Sequence, residues 1–163
     1  MSWRVEDRAE AAPSGPRTFV IEESLGYLIN RAARAFASRL ADELRPFEVG
    51  IGQWAVLLHL WGNDGMTQAQ LSRRVAIEQP TMVRTIDRME RDGLVTRSPD
   101  PNDRRASRIT LTERGWNLRD ALVPLADGVN RAATASLTDE EVHTLERLLA
   151  KLVAGEAAEN TPR

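Results

Sequence analysis

The residues of this chain whose types and spacing suit chemistry are arginines, and what they suit is recognition of phosphates and base edges. From Arg73 to Arg108 there are nine Arg and six acidic residues, a local charge of +3, while the rest of the chain carries thirteen basic and eighteen acidic residues, or −5. A guanidinium pairs with a guanine edge or a phosphate through two parallel hydrogen bonds. A positive patch on an acidic body directs one face toward nucleic acid without making the whole surface adhesive. Charge also segregates by chance, and an Arg bias this general (Lys151 is the sole Lys) reads first as compositional. Bond-making chemistry has no comparable basis. The chain has no Cys, and its two histidines, His59 and His143, stand far apart. Disulfides, thiol redox sensing and cysteine-based metal sites are excluded, and neither a nucleophile–base pair nor a phosphate-cradling glycine loop is present. No cofactor, no metal and no enzymatic activity are expected.

Residues 67–111 must position those arginines. Thr67-Gln68-Ala69-Gln70 fits a capping box, in which the Thr hydroxyl and the Gln amide each satisfy a backbone N–H at a helix start. A short helix carrying Leu71 and Val75 follows. After a turn, Pro80 is placed at the first position of a second helix, where its missing N–H costs nothing. Val83, Ile86 and Met89, with Met82 at the edge, are expected to form its apolar stripe; Thr81, Arg84, Thr85, Arg88 and Arg91 point elsewhere. Gly93 supplies a left-handed stop. A hairpin then runs from Leu94 through Arg97, turns over Pro99 to Asp103 and returns from Arg105 to Leu111. The predicted unit is a winged helix-turn-helix, whose second helix is shaped for a major groove and whose wing arginines reach a neighbouring minor groove.

Within it, Gln79, Pro80, Thr81, Met82, Arg84, Thr85 and Arg88 are the candidate recognition-helix contacts, with Gln suited to adenine, Arg to guanine and Thr or Met to a thymine methyl. Arg84 is the first choice for base readout. Arg105 is expected at the wing tip and Arg104 on a phosphate, while Ser72, Arg73 and Arg74 are expected on the DNA backbone. The competing readings are a solvated helix face, an ordinary helix end and, for Pro101 and Asn102, simply a good turn.

These residues resemble a known family. Residues 77–87, followed by Gly93-Leu94-Val95, look like the recognition helix of MarR-type regulators, closest to their SlyA branch. The wing Asp100-Pro101-Asn102-Asp103-Arg104-Arg105, closed by Leu111-Thr112-Glu113, is similar to that family's signature, and the resemblance spans roughly residues 20–154. It implies a homodimeric bacterial transcription factor, often relieved from DNA by a small aromatic acid. It also implies base reading by Pro80, Thr81 and Arg84, and Asp103 steering the Arg105 guanidinium. For an effector between the dimerisation helices and the DNA-binding lobe, Tyr27, Arg31, Trp54, His59 and Trp61 are the candidate lining residues. Their competing reading is core for the two tryptophans and surface for His59.

The flanks set the domain plan, which is mainly α with a small β-hairpin wing. Residues 1–17 read as a disordered arm and residues 155–163 as a frayed tail. Residues 18–154 read as one domain, with dimerisation helices at 18–46 and 112–154 around a winged unit at 51–111. A first helix, residues 21–45, places Leu25, Leu28, Ile29, Ala32, Phe36, Leu40 and Leu44 on one side and ends at Pro46. A second, residues 51–61, turns Ile51, Trp54, Leu57, Leu58 and Trp61 inward. Thr112 opens a long helix bearing Trp116, Leu118, Ala121, Leu122, Leu125, Val129 and Ala132, which either kinks at Pro124 or breaks into two pieces there. Thr138 with Glu141 caps a last helix with Val142, Leu145, Leu148, Leu149, Leu152 and Val153. Such stripes either complete one monomer's core or pack across a two-fold axis; the resemblance favours the dimer, placing two half-sites roughly 10 bp apart.

The chain shows no signal-like apolar core and no apolar run of about 18 residues, so a cytoplasmic, nucleoid-associated protein is expected. The leading expectation is a regulator, repressor more than activator, binding a pseudo-palindromic operator. The rivals are the same fold acting without an effector, a winged helix used only for protein contact, and an enzyme. Charge at both helix and wing argues against the protein-contact reading.

Overall fold

A computed structural model describes residues 20–101, 103 and 105–159, with side chains through residue 155. The expected N-terminal arm, residues 1–17, therefore lies outside the described residues, as do Asn102 and Arg104. The elements in order are α1 (Leu25–Leu44), α2 (Ile51–Gly62), β1 (Met66–Thr67), α3 (Gln68–Val75), α4 (Gln79–Arg91), β2 (Val95–Pro99), β3 (Ser107–Leu111), α5 (Glu113–Ala133) and α6 (Asp139–Glu159), with single 3-10 turns at Ile21–Glu23 and Arg45–Phe47.

The starts and stops follow local chemistry. Ser24 caps α1, its hydroxyl accepting the Tyr27 N–H, and the Arg45-Pro46-Phe47 turn ends it. Thr67 Oγ1 accepts the Gln70 N–H at 3.2 Å while Gln70 Oε1 accepts the Thr67 N–H at 2.8 Å, so the expected capping box opens α3. Gly93 stops α4 at φ +68°, and the Leu94 N–H closes the turn onto the Met89 carbonyl at 2.8 Å. Helix α5 runs unbroken through Pro124, which resolves the choice between one helix and two. Helix α6 continues to Glu159, beyond the expected end of the last helix near residue 154.

Three antiparallel strands form the sheet in the order β1-β3-β2, with Arg97 opposite Ile109 and Met66 also opposite Ile109 from the other side. Strand β1 was not foreseen, since two residues are too few to show a period of two.

The core lies under α2, α3, α4 and the sheet. Leu44, Val56, Leu57, Leu60, Leu71, Met82, Ile86, Met89 and Ile109 are completely buried there, joined by Leu122 of α5. Expected orientations on three helices are corrected. On α4 the buried series is Met82, Ile86 and Met89, whereas Val83 is 39% exposed. Spacings of four and then three residues follow the helical period more closely than two successive threes. On α2, Ile51 and Leu58 are exposed, and Gln53, Val56 and Leu60 face inward with Trp54, Leu57 and Trp61. Trp116 on α5 is likewise exposed.

Outside this core, the N-terminal half of α1 (Leu25, Leu28 and Ile29) and the apolar stripe of α6 (Leu145, Leu148, Leu149, Leu152 and Val153) remain open. No described helix is long and apolar enough to cross a membrane.

Candidate nucleic-acid interface

Helix α3 and the turn after it set the angle of α4. Ser72 is 5% exposed, and its hydroxyl donates to the Ile77 carbonyl at 2.6 Å while the Ile77 N–H donates to the Ser72 carbonyl at 3.1 Å. These two bonds close the turn, in which Ala76 adopts φ +56°. Ser72 is thereby removed from the expected phosphate contacts, since its one donor is spent inside the fold. Arg73 and Arg74 remain exposed in the last turn of α3.

Helix α4 begins at Gln79, so Pro80 is its second residue rather than its first. Gln79, Pro80, Thr81, Arg84 and Arg88 are exposed along one side. Met82 is not among them; it is fully buried and leaves the expected set of base contacts. Thr85 is half-buried, and its hydroxyl donates to the Thr81 carbonyl at 3.0 Å. Thr81, Arg84, Thr85 and Arg88 form, with Gly50, Gly52 and Gln53 at the start of α2, a recess of about 270 Å³. Gln53 is 3% exposed and bridges the two helices: its Nε2 donates to Asp92 Oδ2 at 2.7 Å and its Oε1 accepts the Gly50 N–H at 2.8 Å.

The wing is built around a buried acid. Asp100 Oδ2 accepts from Arg108 Nε at 2.9 Å and its Oδ1 from the Asp103 N–H at 3.2 Å; Arg108 also donates to the Gly65 carbonyl at 3.3 Å. Asp103 Oδ1 accepts the backbone N–H of Arg105 at 2.9 Å. The expected steering of the Arg105 guanidinium is thus a backbone turn instead, which holds the residue's position and leaves its side chain exposed.

The structure sorts the arginines into two groups. Arg97 is paired with Asp87 and Glu90 of α4, Arg108 with Asp100, and Arg88 more loosely with Asp92 at 3.6 Å. Arg73, Arg74, Arg84 and Arg105 make no ion pair among the described residues. Four of the six acids in the basic stretch are thus occupied internally, so the positive potential is displayed at α3, α4 and the wing apex. Sequence reasoning did not foresee Arg97, Arg108 or Gln53 as organisers, because their partners lie on other elements.

The five candidate effector residues are not brought together. Trp54 and Trp61 are buried and meet edge to face at 5.7 Å, and Trp61 Nε1 donates to the Gly115 carbonyl at 2.9 Å. These are core residues, although Trp54 also borders a groove of about 340 Å³ between α1, α2 and α5 with Phe36, Leu40, Ile51, Leu58 and Val123. Tyr27, Arg31, His59 and Trp61 do not line it, and its one ionisable lining residue is Asp127.

Comparison with known proteins agrees with this architecture. Residues 51–107 match the model of the MarR family. A MarR transcriptional regulator from Methanosarcina mazei Go1 is 26% identical with a TM-score of 0.77, covering 82% of this chain and 96% of that one. A structure on regulation of DNA binding of Bordetella bronchiseptica BpsR by 6-hydroxynicotinic acid is 27% identical, with a TM-score of 0.78 and coverage of 85% and 98%. A mutant MarR from E. coli complexed with operator DNA is 29% identical, with a TM-score of 0.74 and coverage of 78% and 92%. The matched region falls on the helices and wing described above, and over most of its length the chain is similar to MarR-type transcriptional regulators, one of them crystallised with operator DNA.

Proposed function

We propose that this protein is a homodimeric regulator, acting chiefly as a repressor, that reads a pseudo-palindromic operator through α4 and the wing. The observation that carries this is the display of Arg84 and Arg105, which have no ion pair among the described residues, on the recognition helix and wing, while Arg97 and Arg108 are held internally. Gln79, Pro80, Thr81, Arg84, Thr85 and Arg88 face the major groove, with Arg84 the principal base reader. Arg105 enters the minor groove from a turn shaped by Asp103, and Arg104, Arg73 and Arg74 meet phosphates. The open apolar faces of α1 and α6 pack across the two-fold axis, which assigns residues 18–46 and 112–154 to dimerisation and 51–111 to DNA reading. The E. coli MarR mutant crystallised with operator DNA, to which the chain is similar, supports the DNA-reading part of this assignment. The resemblance of the wing and recognition-helix residues to the SlyA branch supports a regulator of that type, acting in the cytoplasm and on the nucleoid when bound.

A small aromatic acid modulates binding by favouring a dimer whose recognition helices are wrongly spaced, and it can do so only through its differential affinity for the two states. Regulation of BpsR by 6-hydroxynicotinic acid supports an aromatic effector. The same regulator without an effector is the second reading, favoured by the groove between α1, α2 and α5, where Asp127 offers a carboxylate no cation.

Titration of the protein on its own upstream promoter duplex against random duplex, at two salt concentrations and with or without salicylate, tests these readings. A promoter preference of about a thousandfold or more that collapses with salicylate supports the ligand-responsive form. Preference untouched by salicylate removes that effector and keeps the regulator. Equal, weak binding to both duplexes removes the proposed operator, and failure to select any sequence from a random pool removes the DNA-reading function.

A further inference from the structure

We propose that Arg97 fixes the angle between the wing and the recognition helix, and so acts as a positioning residue for DNA readout without touching DNA. This rests on the DNA-reading function proposed above. Arg97 lies at the middle of β2, opposite Ile109 of β3. Its guanidinium crosses to α4, where one nitrogen meets Asp87 Oδ1 at 2.5 Å and the other meets Glu90 Oε2 at 2.8 Å. Asp87 and Glu90 are one turn apart on the helix, so a single planar fork spans two carboxylates of one face. A lysine's point charge does not reproduce that geometry.

The linkage between the two elements needs such a tie. Only Asp92, Gly93 and Leu94 separate α4 from β2, and the hydrogen bonds of this turn, where Gly93 has φ +68°, hold the base of the hairpin rather than its apex. Buried Leu94 and Val95 anchor the base of the hairpin, but the apex lies roughly 20 Å farther along at the usual rise of a strand. A swing of about 10° about that base carries the apex about 3 Å, which is the length of a hydrogen bond. Arg97 joins the hairpin to α4 partway along that lever. Its side chain is 26% exposed, against 49% and 42% for its partners. Ion pairs this accessible add little to global stability. Their loss therefore leaves the fold in place and releases the angle.

The two acids give the proposal a sign. Carboxylates beside a phosphate-facing helix repel DNA, so their neutralisation on electrostatics alone tightens binding to every duplex. If Asp87 and Glu90 act by holding Arg97, their neutralisation instead weakens binding to the preferred site.

The test uses the full chain and the duplex that the wild-type protein selects from a random-sequence pool. Arg97→Met keeps the aliphatic stem, Arg97→Lys keeps the charge, and Asp87→Asn with Glu90→Gln removes the other end. Affinity for selected and random duplex is measured across a salt series, with thermal unfolding and a minor-groove footprint of the wing. Arg97→Met and the double variant are each expected to lose about tenfold in preference for the selected duplex, comparable to one mismatched base pair. The wing footprint weakens while the slope of log affinity against log salt and the melting temperature stay near wild type, and Arg97→Lys recovers only part of the loss. Tighter binding of the double variant to both duplexes overturns the proposal, as does a slope shallower by about one for Arg97→Met, which marks a phosphate contact. If the wild-type chain selects no sequence at all, the DNA-reading function fails instead.

Discussion

A Cβ built on Gly115 stands 2.3 Å from the carbonyl oxygen of Leu94. The first turn of α5 thus lies directly against the residue that leads into the wing, and the contact is reinforced from both sides. The Leu94 carbonyl accepts the Thr112 N–H at 3.0 Å, and the Gly115 carbonyl accepts from Trp61 Nε1 at 2.9 Å. Gly115→Ala is therefore expected to destabilise the protein by about 1–3 kcal/mol, the usual range for overpacking a rigid site. Chemical denaturation checks it; an unchanged midpoint shows that α5 shifts freely relative to the wing.

Met82 separates burial from base contact. Met82→Ala empties a fully buried site and is expected to cost about 2–5 kcal/mol. At temperatures where the variant remains folded, its order of preference among operator variants stays that of wild type. A changed preference at one base pair returns Met82 to the DNA-contacting set.

Arg84 has no ion-pair partner among the described residues, so its removal leaves no carboxylate stranded. Arg84→Ala is expected to cost about 1–3 kcal/mol of binding and to relax preference at one base of each half-site. Equal weakening on every sequence reassigns it to a phosphate.

Arg105 stands on a turn held by Asp103 and Asp100 through backbone N–H groups, which its side-chain removal does not disturb. Arg105→Ala should lower affinity and make the salt slope shallower by about one. Wild-type affinity and slope together take the wing apex out of the interface.

The Glu141 carboxyl is held below the ordinary glutamate range, first by the Thr138 backbone N–H and then by its hydroxyl. Because its folded pKa is depressed, its capping contribution is fully present above the unfolded value and is lost as pH falls through the folded one. A carboxylate NMR titration should give Glu141 a lower midpoint than exposed glutamates, and the stability difference between wild type and Glu141→Gln should narrow on acidification. An ordinary midpoint breaks the link.

Most of the plan was legible because it is written locally. Capping pairs such as Thr67 with Gln70 and Thr138 with Glu141, and the Gly93 stop, act within a few residues and show in sequence. The facing of α4 was one residue off because Met82 and Val83 are adjacent apolar residues, and packing against the sheet decides between them. The buried Ser72 hydroxyl, the Arg97 fork and the Gln53 bridge depend on partners set by tertiary structure, where period and composition are silent. Gly115 did leave a trace, since a glycine inside a helical pattern suggests a close approach of another segment.

The pairing of Thr67 with Arg108 has a mechanical consequence. Thr67 is at once the edge of the sheet and the cap of α3, so one residue belongs to both the wing and the first helix of the reading unit. A load applied at the apex travels down β3 and arrives at the start of α3 without crossing a loop. The base of the wing is thereby coupled to the helices through one residue.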